Sequence, residues 1–127
     1  MNTDKEQIDH LTGIIIGCSH RVSNEMGIGF LEKVYENAMM VELTQAGLKV
    51  RQQAPIVVKY RGYVVGEYFA DLLVEDCIII ELKYCEGFDD AHIAQCLNYL
   101  KATGIKLCLL INFGKSKVEI KRLVRNL

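Results

Sequence analysis

The chain has 127 residues, half of them hydrophobic, with one proline and no Ser-, Pro- or Gly-rich stretch. That composition excludes a disordered or fibrous protein and is enough for one self-supporting core, so a single domain over residues 1–127 is expected. The formal net charge of −1 excludes a bulk-basic nucleic-acid binder. The apolar stretch Ile14–Ile16 is too short to cross a bilayer and no targeting segment is visible, which leaves a cytoplasmic protein without a membrane partner.

In chain order, a first helix is predicted from Thr3, where Thr3-x-x-Glu6 forms a capping box. Ile8, Leu11, Ile15, Cys18 and Val22 then recur at helical spacing. Gly13 and Gly17 weaken that helix and are read as permitting close packing. A break at residues 24–29 leads to a second helix over Phe30–Ala46, closed by Gly47. Val50–Tyr60 is strand-like around Pro55, which places it at a sheet edge or a bulge. Arg61-Gly62 turns the chain into a second strand, Tyr63–Val74. Glu75 and Asp76 turn it again into a third, Cys77–Tyr84. Asp89-Asp90 cap a third helix that runs to Thr103 and closes at Gly104. Ile105–Asn112 is apolar almost throughout, as in a strand covered on both faces. After the turn at Phe113-Gly114 comes a last strand, Val118–Val124. The order α-α-β-β-β-α-β-β predicts an α/β fold with a mixed central sheet flanked by helices.

Five cysteines, Cys18, Cys77, Cys85, Cys96 and Cys108, are odd in number and form no C-x-x-C pair. They read as buried, reduced thiols in a cytosolic protein. Lys115, Lys117, Lys121, Arg122 and Arg125 crowd the C-terminal end. They suit a lysine-protected sheet edge, and a phosphate-contacting surface is the sharper alternative.

The segment Cys77–Lys83 carries the most chemistry. A strand this apolar belongs inside the sheet, yet Glu81 and Lys83 stand two residues apart and so on one face. A three-residue loop at 75–77 would set Val74 opposite Ile78 and Asp71 opposite Glu81; a two-residue turn would leave the two acids diagonal neighbours. Two desolvated carboxylates need a cation. Lys83 could neutralise one while the other keeps a proton, or a divalent metal could be held by Asp71, Glu81 and the Leu82 carbonyl. Hard oxygen donors favour Mg²⁺ or Mn²⁺. Glu32 falls in the first turn of the second helix, where the helix dipole and reciprocal capping favour an acid whatever its function. It shares a face with Tyr35 that could be turned toward Asp71. His92, Gln95 and Tyr99 line one stripe of the third helix. Core packing accounts for most such stripes, and Gln95 or Tyr99 could also orient Lys83 or a phosphate.

Asp71, nine residues, Glu81-Leu82-Lys83, then Gln95-x-x-x-Tyr99, resembles the RecB-like branch of the PD-(D/E)xK nuclease superfamily. Gly29-x-x-Glu32-x-x-Tyr35 resembles the family of small proteins named for its GxxExxY pattern. The likeness runs from about residue 27 to residue 122. It implies a restriction-endonuclease-like core with a metal site at Glu32, Asp71, Glu81 and the Leu82 carbonyl. It further implies that Lys83 positions or activates the attacking water, with Gln95 and Tyr99 in support. Ala70 stands where the superfamily's naming proline would be, a position without chemistry.

The expected activity is therefore Mg²⁺- or Mn²⁺-dependent hydrolysis of nucleic-acid phosphodiesters, DNA ahead of RNA. Glu32, Asp71, Glu81, Lys83 and Gln95 would act in catalysis, with Tyr35, His92 and Tyr99 as substrate or support residues. The alternative is a non-catalytic nucleic-acid-binding or protein-interaction module that keeps the fold; a hydrolase of small phosphorylated molecules ranks third. No G-x-x-x-x-G-K-[ST] loop is present, which argues against nucleotide hydrolysis of that kind. A core this small also invites a homodimer, in which two sites would serve both strands of a duplex, although no residue specifies one.

Overall fold

A computed structural model of the protein describes residues 3–127, with side chains from Asp4 onward. The expected Thr3 capping box therefore lies outside the described residues. The elements are α1 (Thr3–Met26), α2 (Glu32–Gln45), β1 (Val50–Tyr60), β2 (Tyr63–Val74), β3 (Ile78–Lys83), α3 (Asp90–Thr103), β4 (Leu107–Asn112) and β5 (Glu119–Val124). They form one five-stranded sheet in the order β1-β2-β3-β4-β5. β3 and β4 run parallel, as the α3 crossover requires, and the other pairs are antiparallel.

Helix α1 continues two residues past the break expected at Asn24. The stop falls at Gly27, whose φ of 65° ends the helix while its amide donates to the Ser23 carbonyl at 2.9 Å. Helix α2 starts at Glu32 and not at Phe30, because Leu31 is extended there (ψ 152°). Leu31 supplies no capping side chain, so the reciprocal-capping explanation for Glu32 does not apply. Asp89 does cap α3, and Gly104 closes it in the left-handed conformation.

Period-two alternation along β3 divides the core. Ile78, Ile80 and Leu82 pack with α1 residues Ile8, Leu11 and Ile15 and with Met39 and Leu43 of α2. Ile79 points the other way, into a cluster with Cys96, Tyr99 and Leu100 of α3 and with Cys108 and Leu110 of β4. All six residues of β4 are buried, which its uninterrupted apolar run anticipates. Each fully buried Leu or Ile contributes about 1.5–3 kcal/mol by leaving water. Gly13 and Gly17 are not close-packing residues. A methyl group at Gly13 would meet nothing within 4 Å, and one at Gly17 would meet only the Arg21 side chain.

The first hairpin departs from regular alternation where the site lies. Gln52 pairs with Leu72 and Ala54 with Ala70. Leu72 packs toward α1 and α2, whereas Ala54 and Ala70 pack toward α3. Regular pleating would keep Ala70 and Leu72 on one face. The phase slips between them, at Gln53 (φ 54°) and Asp71 opposite it. β1 is an edge strand, consistent with Pro55, and its register shifts again between Val58 and Lys59. β5 is the other edge; there Lys115 pairs with Glu119 and Arg122 with Asp9. Cys18, Cys96 and Cys108 are buried, whereas Cys77 and Cys85 are half-buried rather than enclosed as expected; all five are free thiols. Among the described residues no helix is long and apolar enough to cross a membrane.

Candidate functional site

The β2–β3 turn is the three-residue loop 75–77, with Val74 opposite Ile78 and Leu72 opposite Ile80. The same register brings Asp71 opposite Glu81, but there the backbone ladder ends and side chains replace it. The Asp71 amide donates to Glu81 Oε1 at 3.2 Å, and the Leu82 amide donates to Asp71 Oδ2 at 2.8 Å. Each carboxylate thus stands in for a missing strand carbonyl, which fixes both acids and spreads the strands around them. Glu81 is 3% exposed. Burial first, and then the charge of Asp71, push its pKa up to about 9, so without a cation it holds a proton at neutral pH.

Lys83 follows on the same face of β3, and its Nζ approaches Gln95 Oε1 on α3 at 3.5 Å. Tyr99, one turn further along α3, is buried; burial and the charges of Glu81 and Asp71 push its phenol up to about 12, so it stays a protonated donor. His92 is engaged elsewhere. Its Nδ1 accepts the Asp89 amide at 3.3 Å while the His92 amide donates to Asp89 Oδ1 at 2.8 Å, a reciprocal cap at the start of α3. That geometry engages His92 in capping α3, a task different from the core packing that its stripe suggests.

Glu32 lies at the first turn of α2, within electrostatic reach of Asp71 and Lys83. Partial burial raises its pKa above the ordinary glutamate value; Lys83 opposes that rise and Asp71 adds to it. Tyr35 locks the segment before it. Its hydroxyl donates to the Gly27 carbonyl at 2.6 Å and accepts the Phe30 amide, while its buried ring stacks on Phe113 with centroids 5.0 Å apart. The Gly29 amide donates to the Tyr84 hydroxyl at 2.7 Å, and Gly29 reaches that geometry at φ 114°, a conformation open to glycine. Gly29 and Tyr35 therefore set where α2 begins and so where Glu32 stands.

Three contributors escape the sequence reading. Glu36, one turn after Glu32, is a buried acid that pairs with Lys33 at 2.7 Å and accepts from Gln52 and Gln53. Gln53 bridges Glu36 Oε1 (3.0 Å) and Asp71 Oδ1 (3.4 Å) from the point where β1 changes phase. The i, i+4 spacing of Glu32 and Glu36 is a signal; Gln53 leaves none, because its left-handed φ is not encoded by a glycine. Asn112, fully buried at the end of β4, accepts the Cys85 and Gly114 amides and donates to the Cys85 carbonyl and Glu119. Together with the Phe113 amide on the Lys83 carbonyl at 2.9 Å, this holds down the chain that leaves Lys83.

The donor set fits a hard divalent cation in character. Two carboxylates meet in a part-buried place, where burial and the charge of Asp71 keep Glu81 protonated. Among the described residues no three acidic, histidine or cysteine side chains form a ready-made cage. The structure thus does not gather Glu32, Asp71 and Glu81 into one ligand set; Asp71 and Glu81 are the pair it brings together.

The sequence model of the PD-(D/E)XK nuclease superfamily matches residues 9–123. No curated protein sequence matches the chain significantly. Among solved structures, an alkaline exonuclease from Laribacter hongkongensis superposes with a TM-score of 0.55 at 17% identity, over 74% of this chain and 56% of that one. The same exonuclease in complex with dAMP superposes with a TM-score of 0.52 at 14% identity, over 85% of this chain and 76% of that one. In the first of these comparisons the chain spans little more than half the exonuclease's length, and at such identities the likeness is one of fold.

Proposed function

The chain belongs to the PD-(D/E)XK nuclease superfamily, and from that premise we propose that it is a metal-dependent nuclease acting on nucleic-acid phosphodiesters, with DNA the first substrate to try. The observation that carries the proposal is the Asp71–Glu81 pair, two acids locked by each other's strands, with Glu81 buried beside the charge of Asp71. Members of this superfamily generally use divalent metals. Asp71, Glu81 and the Leu82 carbonyl would hold Mg²⁺ or Mn²⁺, with Glu32 reaching it through water. The bound ion would polarise the phosphoryl oxygen and acidify a coordinated water.

The chain's own groups do the remaining work. Lys83, steadied by Gln95, orients the attacking water and offsets charge growing on the phosphate. Tyr99 keeps its proton beside the charges of Glu81 and Asp71. Water adds to phosphorus and gives up a proton to solvent, the P–O bond to the leaving nucleoside breaks, and the departing oxygen takes up a proton in exchange. Gln53 and Glu36 brace Asp71 from behind, and Tyr35 fixes the start of α2.

The test is calorimetric titration with Mg²⁺ and Mn²⁺ on the wild type and Asp71→Asn at low salt, followed by cleavage assays on single- and double-stranded DNA and RNA. Metal uptake in the wild type that disappears in the variant, together with cleavage that needs the metal, supports the proposal. Binding of nucleic acid that persists in EDTA without cleavage under any metal would instead make the chain a non-catalytic binding module.

A further inference from the structure

A cavity of about 960 Å³ opens between the β1–β2 hairpin and the outer face of α3. Gln95 and Tyr99, which already belong to the acidic cluster, form one part of its lining, so the groove runs directly into the site. Away from the cluster it is lined by Lys59 and Tyr68 from the hairpin and by Asn98 and Lys101 from α3. Among the described residues, none that lines it is acidic, although the whole chain carries a net charge of −1.

We infer that this groove receives a single strand of nucleic acid next to the scissile phosphate. Lys59 and Lys101 meet its phosphates, and Tyr68 stacks on a base. The chemistry selects that occupant. The lysines supply positive charge without a carboxylate in the lining to neutralise it, as a polyanion requires. Tyr68 is half exposed, with its ring tilted 49° over Tyr99 at 5.7 Å between centroids. An aromatic face of this kind binds any base whose own face is free. Bases inside a duplex are stacked on both sides, so an unpaired or terminal nucleotide is what can use it. The Asn98 amide offers a donor and an acceptor to a sugar or base edge. The groove thus deepens the proposed function by naming its substrate class, and placing the strand beside the scissile bond rests on that reading.

The experiment measures binding without turnover. Fluorescence anisotropy of a labelled oligothymidylate and of a blunt duplex is recorded in EDTA for the wild type, Tyr68→Ala, Tyr68→Phe, the double variant Lys59→Ala/Lys101→Ala, and Lys49→Ala. Lys49 is a charge-matched control that pairs with Asp76 away from the groove. The single strand should bind at least about tenfold more tightly than the duplex, and Tyr68→Ala should lose about tenfold while Tyr68→Phe keeps its affinity. The double variant should lower the salt slope by about 1.4, or about 0.7 for each lysine that no longer meets a single-strand phosphate. Equal affinity for the duplex, no binding at all, an unchanged Tyr68→Ala, or an equal loss in Lys49→Ala overturns the inference. Because no cleavage is read, such a failure leaves the nuclease reading to its own Asp71→Asn test.

Discussion

Asp71 and Glu81 are bound to each other's strands: Glu81 Oε1 accepts the Asp71 amide, and Asp71 Oδ2 accepts the Leu82 amide next to Glu81. The two acids stay close because each satisfies a backbone donor that the other's strand would otherwise leave unpaired. Their repulsion is therefore built into the sheet, and it can be relieved by a proton or by a cation.

Replacing Asp71 with Asn keeps an oxygen for the Leu82 amide, removes the charge and gives up the weaker contact that Gln53 makes with the other oxygen. Asp71→Asn, and likewise Lys83→Ala, should lower cleavage by about 10²-fold or more, the usual consequence of losing one group that stabilises developing charge. The melting temperature should shift by only a few degrees. Wild-type activity in either variant would remove that residue from the site.

Glu81 yields a signed pH dependence. Its folded-state pKa is about 9, against about 4.3 for a glutamate in an unfolded chain. Between those values the folded protein keeps a proton that the unfolded chain has released. The associated stability is fully present below the unfolded value and is lost as pH rises through about 9, a total on the order of a few kcal/mol. Denaturant unfolding in EDTA from mildly acidic to alkaline pH should show the metal-free wild type weakening relative to Glu81→Gln. Added Mg²⁺ should oppose the trend, stabilising the wild type more at alkaline than at acidic pH, since the ion binds the deprotonated acid. Parallel wild-type and Glu81→Gln profiles would mean that Glu81 does not titrate in that range.

Asn112 satisfies several groups at once, and removing it strands the part-buried Cys85 amide and carbonyl. Asn112→Ala should cost about 2–4 kcal/mol in urea unfolding. Gly114→Ala tests the same junction, since a Cβ there would stand 2.7 Å from both the nitrogen and the carbonyl oxygen of Cys85. It should destabilise by about 1–3 kcal/mol, the usual range for overpacking. If both variants unfold like the wild type, the tether beyond Lys83 has no energetic weight.

Gly13 provides a change of opposite sign. It sits inside α1 with open space where a methyl group would go. Gly13→Ala should stabilise the protein by about 0.5–1 kcal/mol through helix propensity alone. Thermal unfolding that moves downward would reveal a neighbour for Gly13 that the fold does not display.

The order of elements is legible in the chain from local periodicity and turn chemistry, which also narrow the β2–β3 turn to two forms; the register selects the loop 75–77 that sets Asp71 opposite Glu81. The misreadings fall where tertiary geometry overrides a local signal. Asn24 has the look of a helix stop, yet α1 runs on to Met26 and stops before left-handed Gly27. Gly13 and Gly17 have the look of packing residues, but the face they occupy meets no neighbouring helix backbone. Gln53 cannot be foreseen, since a positive φ at glutamine depends on the sheet around it. Glu36 is marked only by its spacing from Glu32 and Asn112 by nothing, and their burial becomes visible only when α2 lies over β1 and when β4 ends beside the chain that leaves β3.

The far half of the β1–β2 hairpin has a consequence for how this protein can diversify. From Val57 to Phe69 most side chains are exposed, Tyr60, Tyr63, Val64 and Val65 among them. Changes in length or composition there leave the interior of the sheet undisturbed. They would instead reshape the wall that stands beside the acidic cluster. Under the proposed nuclease function, the hairpin is therefore the segment in which new target preferences can be acquired, or grafted by an engineer, while the acidic cluster is inherited intact.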